Sequence, residues 1–170
     1  MERGIATRQT GDVAAPQRSA MASDRPELLE QLLCDACRTA HAEYGFVAMD
    51  QDYRIKHFQS VKEGVSEVQQ YVGDNPEHGI PGLYWMNFFG PVYVDYFGKE
   101  ELASLRDRAD VVFLDDGPVY LRFGRRPEDS DAPATLEQQR AVIRILGDAA
   151  FFDLRDPTRK LEVPAALRPR

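Results

Sequence analysis

Cys34, Cys37 and His41 place three metal-ligating side chains within two helical turns, in the pattern Cys-Asp-Ala-Cys-x3-His. A closed zinc site needs four ligands, and the chain holds no second cysteine pair. A redox Cys-x-x-Cys opens a helix, where the dipole lowers the thiol pKa; here the pair falls well inside a predicted helix. The expectation is therefore two reduced, structural cysteines and no metal, since a thiol without a ligand role packs as a small hydrophobe. Cys37 with a histidine would be a nucleophilic pair, but nothing in the spacing orients one toward the other. His41, His57 and His78 never form a His-Glu-x-x-His pair. His57 reads as a half-exposed polar residue and His78 as a solvated loop histidine able to titrate near neutrality. Asp115 and Asp116 are adjacent carboxylates, but neighbours in a tight turn diverge, and acid–base work needs a cleft that shifts their pKa values. Gly-x-Gly-x-x-Gly, the Walker-type Gly-Lys-Ser/Thr and Gly-x-Ser-x-Gly are all missing, so phosphate cradles and the serine-hydrolase elbow lack their signs.

Composition narrows the setting. The 170 residues are 43% hydrophobic and 29% charged, with a formal net charge of −7. That suits one globular domain and argues against nucleic acid as the main partner, because phosphate binding needs a basic surface. No apolar run reaches the length of a membrane span, and Met1 to Ile5 lack the apolar core of a secretory signal. The expected location is the cytoplasm, with no membrane and no cofactor.

The elements that would carry these residues follow from periodicity. Residues 1–22 show none and read as a disordered leader. Ser23 or Asp24 is expected to cap a helix with Pro26 in its first turn, and Leu28, Leu29, Leu32, Leu33, Ala36, Cys37 and Ala40 give its apolar face. Glu43-Tyr44-Gly45 should end it, before a short strand over 46–49 and a turn at 50–52. Tyr53, Ile55 and His57 alternate with Arg54 and Lys56, as a strand or the start of a helix. Val61, Val65, Val68 and Val72 have helical spacing. Residues 73–82 hold Gly73, Pro76, Gly79, Pro81 and Gly82 and read as a loop. Its place before the aromatic stretch makes it a carrier of function, with Asp74 and Glu77 as binding residues.

Leu83 to Phe89, with the only tryptophan, reads as a buried strand stopped by Gly90-Pro91. Val92 to Phe97 is a helical turn or a second strand, and 99–106 a helix. Residues 110–114 and 119–123 form a hairpin about Asp115-Asp116-Gly117-Pro118. Thr135-x-x-Gln138 has the form of a capping box, leading a helix that stops at Gly147. From Arg155 to Arg170 an extended tail is expected. The pattern predicts a single α+β domain over 23–154, with a small mixed or antiparallel sheet and three to four helices.

Gly82-Leu83-Tyr84-Trp85-Met86-Asn87-Phe88-Phe89-Gly90-Pro91, followed by Tyr96-Phe97-Gly98-Lys99-Glu100-Glu101-Leu102, resembles the central motif of bacterial immunity proteins from polymorphic toxin systems, nearest to the immunity protein 52 type. The closing Ile145-Leu146-Gly147-Asp148-Ala149-Ala150-Phe151-Phe152 is similar to the end of such proteins. The resemblance spans roughly residues 40–153 and rests on structural motifs. It implies a small cytoplasmic α+β protein without cofactor that inhibits a cognate toxin by direct binding. Asp74, Glu77, Asp115 and Asp116, on the two clearest loops, are then the candidate toxin contacts. Two alternatives stand beside it: an enzyme with a site near Tyr84, Asn87, Tyr93 and Asp95, and a general protein-interaction module.

Overall fold

A computed structural model describes residues 25–63, 65–71, 79–152, 156 and 159–167. A four-stranded antiparallel sheet forms the centre, in the order β1 (Tyr44–Val47), β4 (Met86–Phe89), β6 (Val119–Arg122), β5 (Asp110–Phe113). One face is covered by α1 (Pro26–Thr39). The other carries α3 (Pro91–Phe97), α4 (Lys99–Ser104) and α5 (Pro133–Leu146). The fold is α+β, as the alternation of elements predicts. Between β1 and β4, α2 (Asp50–His57) leads into a separate two-stranded hairpin of β2 (Phe58–Glu63) and β3 (Ser66–Tyr71).

Strand alternation divides the core between the faces. Met86 and Phe88 point to α1, where with Trp85 they meet Leu33, Cys34 and Cys37. Phe89, Val119 and Leu121 point to the other side, against Tyr93, Val94, Phe97, Leu102 and Val142. Only part of α1's apolar stripe is used: Leu28 and Leu32 are 51% and 65% exposed.

Glycines allow the close approaches at β1 and β4. Gly45, expected to end the first helix, lies inside β1, and a Cβ on it would sit 2.3 Å from Cys37 Sγ. At Gly90 a Cβ would lie 2.6 Å from the Ala42 carbonyl oxygen and 2.8 Å from Glu43 Cα, both backbone atoms. Glu43 holds the break between β4 and α3 from both sides. Its carbonyl accepts from Gly90 N–H at 2.8 Å, and its carboxylate accepts from Val92 N–H at 2.9 Å. Gly90→Ala should thus cost about 1–3 kcal/mol, the usual range for overpacking, measured as a lowered denaturant midpoint at unchanged slope.

Several expected elements are corrected. Residues 61–63 and 66–71 are strand, not helix: Val61 pairs with Val68 across the β2–β3 hairpin, Val65 and Val68 are exposed, and Val72 lies outside the described residues. Asp50 to Asp52 start α2 rather than form a turn, and the strand over 83–89 is shortened to Met86–Phe89. The helix expected to open with a Thr135–Gln138 capping box begins two residues earlier, at Pro133, so Thr135 is inside it and 5% exposed. The cap of α1 is Arg25, without a side-chain hydrogen bond, and Ser23 and Asp24 lie outside the described residues. The segment read as an extended tail folds back where it is described. Val163 is buried, Leu167 packs on the core, and Glu162 N–H donates to the Ala149 carbonyl at 2.8 Å.

Candidate functional site

The turn entering β4 explains why an asparagine sits in its middle. Asn87 is fully buried; its Oδ1 accepts from Tyr84 N–H and its Nδ2 donates to the Tyr84 carbonyl, each at 2.9 Å. The Tyr44 hydroxyl completes the knot, its one proton shared between the Gly82 carbonyl (2.9 Å) and Asn87 Oδ1 (3.2 Å). A buried amide satisfied in this way fixes a backbone turn. It turns the Tyr84 side chain inward, where its hydroxyl lies 2.7 Å from His57 Nε2. His57 is 2% exposed, not the half-exposed residue expected, and its ring stacks on Tyr53 and Tyr71. Burial pushes the Tyr84 and Tyr44 hydroxyls well above their ordinary pKa, so both stay protonated near neutral pH.

The same turn exposes the Leu83 carbonyl to Lys56, one turn after Asp52 on α2. Lys56 Nζ donates to Asp52 Oδ1 at 2.6 Å, to the Leu83 carbonyl, and to Gln139 Oε1 of α5 at 3.3 Å. It also lies 4.5 Å from the centre of the Tyr84 ring. Asp52 and Gln139 are 5% and 3% exposed. Burial pushes the Asp52 carboxyl up, with Asp131 adding to it, and pushes the Lys56 ammonium down; the attraction between the two opposes both shifts. This trio lies at the base of an open cleft of about 630 Å³ between α2 and α5. Ile55, Leu83, Leu136, Ile143 and Phe152 supply its apolar lining. Among the described residues, neither Asp52 Oδ2 nor Gln139 Nε2, both buried, has a hydrogen-bond partner.

The residues expected to bind are not among this trio. Asp115 and Asp116 are exposed in the turn between β5 and β6, where Arg38 Nε of α1 donates to Asp116 Oδ2 at 2.7 Å. Asp74, Glu77 and His78 lie outside the described residues. Tyr84, Asn87 and Tyr93 are buried and Asp95 is exposed, and none of the four lines the cleft. Asp52, Lys56 and Gln139 went unnoticed in the sequence. Their signal was the four-residue spacing of Asp52 and Lys56, hidden by reading 50–52 as a turn.

Cys34 and Cys37 are both buried on the sheet-facing side of α1 and form no disulfide. Among the described residues no three His, Cys, Asp or Glu side chains cluster as metal ligands, and no helix is long and apolar enough to cross a membrane. Burial, with Cys37 next, pushes the Cys34 thiol up to about 11. Since the thiolate is the nucleophile, iodoacetamide at neutral pH should label the native chain at least tenfold more slowly than the urea-unfolded chain. Equal rates would place the thiols at the surface.

Comparison of the chain with protein-family models, curated proteins and solved structures finds no match.

Proposed function

We propose that this chain is an immunity-type protein that neutralises a cognate bacterial toxin by direct, non-catalytic association. The observation that carries the reading is an exposed acidic turn tied by an ion pair to α1, the helix that exposes Leu28 and Leu32. Leu114 N–H donates to the Pro118 carbonyl at 2.9 Å and Gly117 N–H to the Leu114 carbonyl at 3.0 Å, while Arg38 braces Asp116. Asp115 and Asp116 are therefore presented on a rigid scaffold. Alongside, α1 exposes Leu28, Leu32 and Asp35 at helical spacing. An apolar centre with a charged rim is the usual anatomy of a protein interface. A net charge of −7 favours a basic partner, with faster encounter at low salt. The stretch read as resembling immunity proteins is packing frame, with Leu83 to Phe89 all at most 1% exposed.

The test is co-expression with the toxin encoded beside this gene. The parent chain should protect. Asp115→Lys combined with Asp116→Lys should lower protection at least tenfold while the melting temperature falls by no more than about 4 °C, as loss of an exposed ion pair allows, and reversing Asp74 and Glu77 should add to the loss. Continued killing beside the parent chain would overturn the reading.

A further inference from the structure

We infer that the outer stripe of α1 is a homodimer contact, across which a second copy of this chain lies antiparallel. The stripe is Arg25, Leu28, Leu32 and Asp35, all exposed, with the two leucines at 51% and 65%. Steps of three, four and three residues keep these positions on one side of a helix, at the spacing of a coiled-coil seam. That side faces away from the sheet, because Leu33, Cys34 and Cys37 form the buried one. The order along the stripe is cation, leucine, leucine, anion. Turned end for end about the level of Glu30, this order meets itself. Arg25 then falls opposite Asp35 of the second copy, and Leu28 opposite its Leu32.

The charges favour a second copy over other occupants. Among the described residues, neither the Arg25 guanidinium nor the Asp35 carboxylate is in an ion pair. Arg25 also caps α1, at the end of the helix dipole where a cation is disfavoured and a carboxylate favoured. A two-fold partner brings a carboxylate to that place at both ends of the contact. Ten residues of helix separate Arg25 from Asp35 by about 15 Å, so both pairs fit along one straight contact. The contact is small. Four leucines and two ion pairs make less than the about 1,600 Å² typical of stable complexes, and each copy carries a net charge of −7. The dimer is therefore a weak one. A second copy and the proposed toxin would compete for Leu28 and Leu32, but the inference does not rest on that reading, and dimerisation is measured with no toxin present.

Sedimentation equilibrium of the full chain should show monomer and dimer, with a dissociation constant on the order of 100 μM. Leu32→Glu, at an exposed position, should weaken the dimer at least tenfold and melt close to the parent. Arg25→Asp and Asp35→Arg should each weaken it about tenfold, because either change makes both end pairs like-charged. Mixed in equal amounts, these two variants should pair with each other about as tightly as the parent does with itself. Opposite charges then face each other again at both ends. A chain carrying both reversals should dimerise like the parent for the same reason, so the test stands even if Leu32→Glu fails to fold. A parent chain still monomeric at about 1 mM would overturn the inference. So would a dimer insensitive to the single reversals, or reversed variants that do not pair when mixed. A monomeric chain whose protection against the toxin falls with Leu32→Glu would assign the stripe to the toxin and overturn the dimer.

Discussion

Trp85→Ala is expected to destabilise the domain by about 3–5 kcal/mol, the usual loss when a large aromatic leaves a cavity. Trp85 is fully buried among Leu33, Cys34, Cys37, Met86 and Phe88, where α1 meets the sheet. Its carbonyl also accepts from Phe123 N–H at 2.8 Å, extending the β4–β6 pairing, and alanine would retain that bond. The loss is therefore one of packing. Trp85→Phe separates packing from polarity: Nε1 has no hydrogen-bond partner among the described residues, so phenylalanine should cost much less than alanine. Denaturant unfolding checks both. A Trp85→Ala chain that unfolds at the parent's midpoint would remove α1 from the core.

Lys56→Met should cost a comparable amount, about 3–5 kcal/mol, the loss found when one partner of a buried ion pair is removed. Methionine fills the volume but leaves Asp52 buried without its cation, and the Leu83 carbonyl and Gln139 Oε1 lose a donor. Two controls distinguish charge from packing. Asp52→Leu added to Lys56→Met should recover most of the loss, because a hydrophobic pair no longer buries a lone charge. The deficit should also depend on pH. Burial already holds the Asp52 pKa above its unfolded value, and loss of Lys56 raises it further. The folded variant then binds a proton more tightly than the unfolded chain, so the deficit shrinks as pH falls and grows as pH rises. A deficit constant from pH 4 to 8 would contradict the buried carboxylate.

The elements legible in the sequence were those whose local pattern agrees with their packing. α1 is marked by Pro26 and a leucine repeat, β5–β6 by turn residues between β-branched runs, and the break after β4 by Gly90-Pro91. The region 50–72 was misread for a definite reason. Valines at 61, 65, 68 and 72 fit a helical period, but the chain reverses between Glu63 and Ser66, which brings Val61 to Val68 at strand register. Gly64 and the β-branched side chains were the evidence for strands. The cleft was hidden for another reason. Asp52 and Gln139 are 87 positions apart and come together only through Lys56. Asp115 and Asp116 were legible because a turn displays its residues wherever the sheet lies.

The proposed neutralisation requires a stoichiometric protein complex, which titration of a purified toxin encoded beside this gene tests. Toxin activity should fall linearly with added chain and vanish near one equivalent at about 1 μM of each protein. The Asp115→Lys, Asp116→Lys chain should need a large excess. Full toxin activity at a tenfold excess of the parent chain, with no complex on size-exclusion chromatography, would contradict the claim.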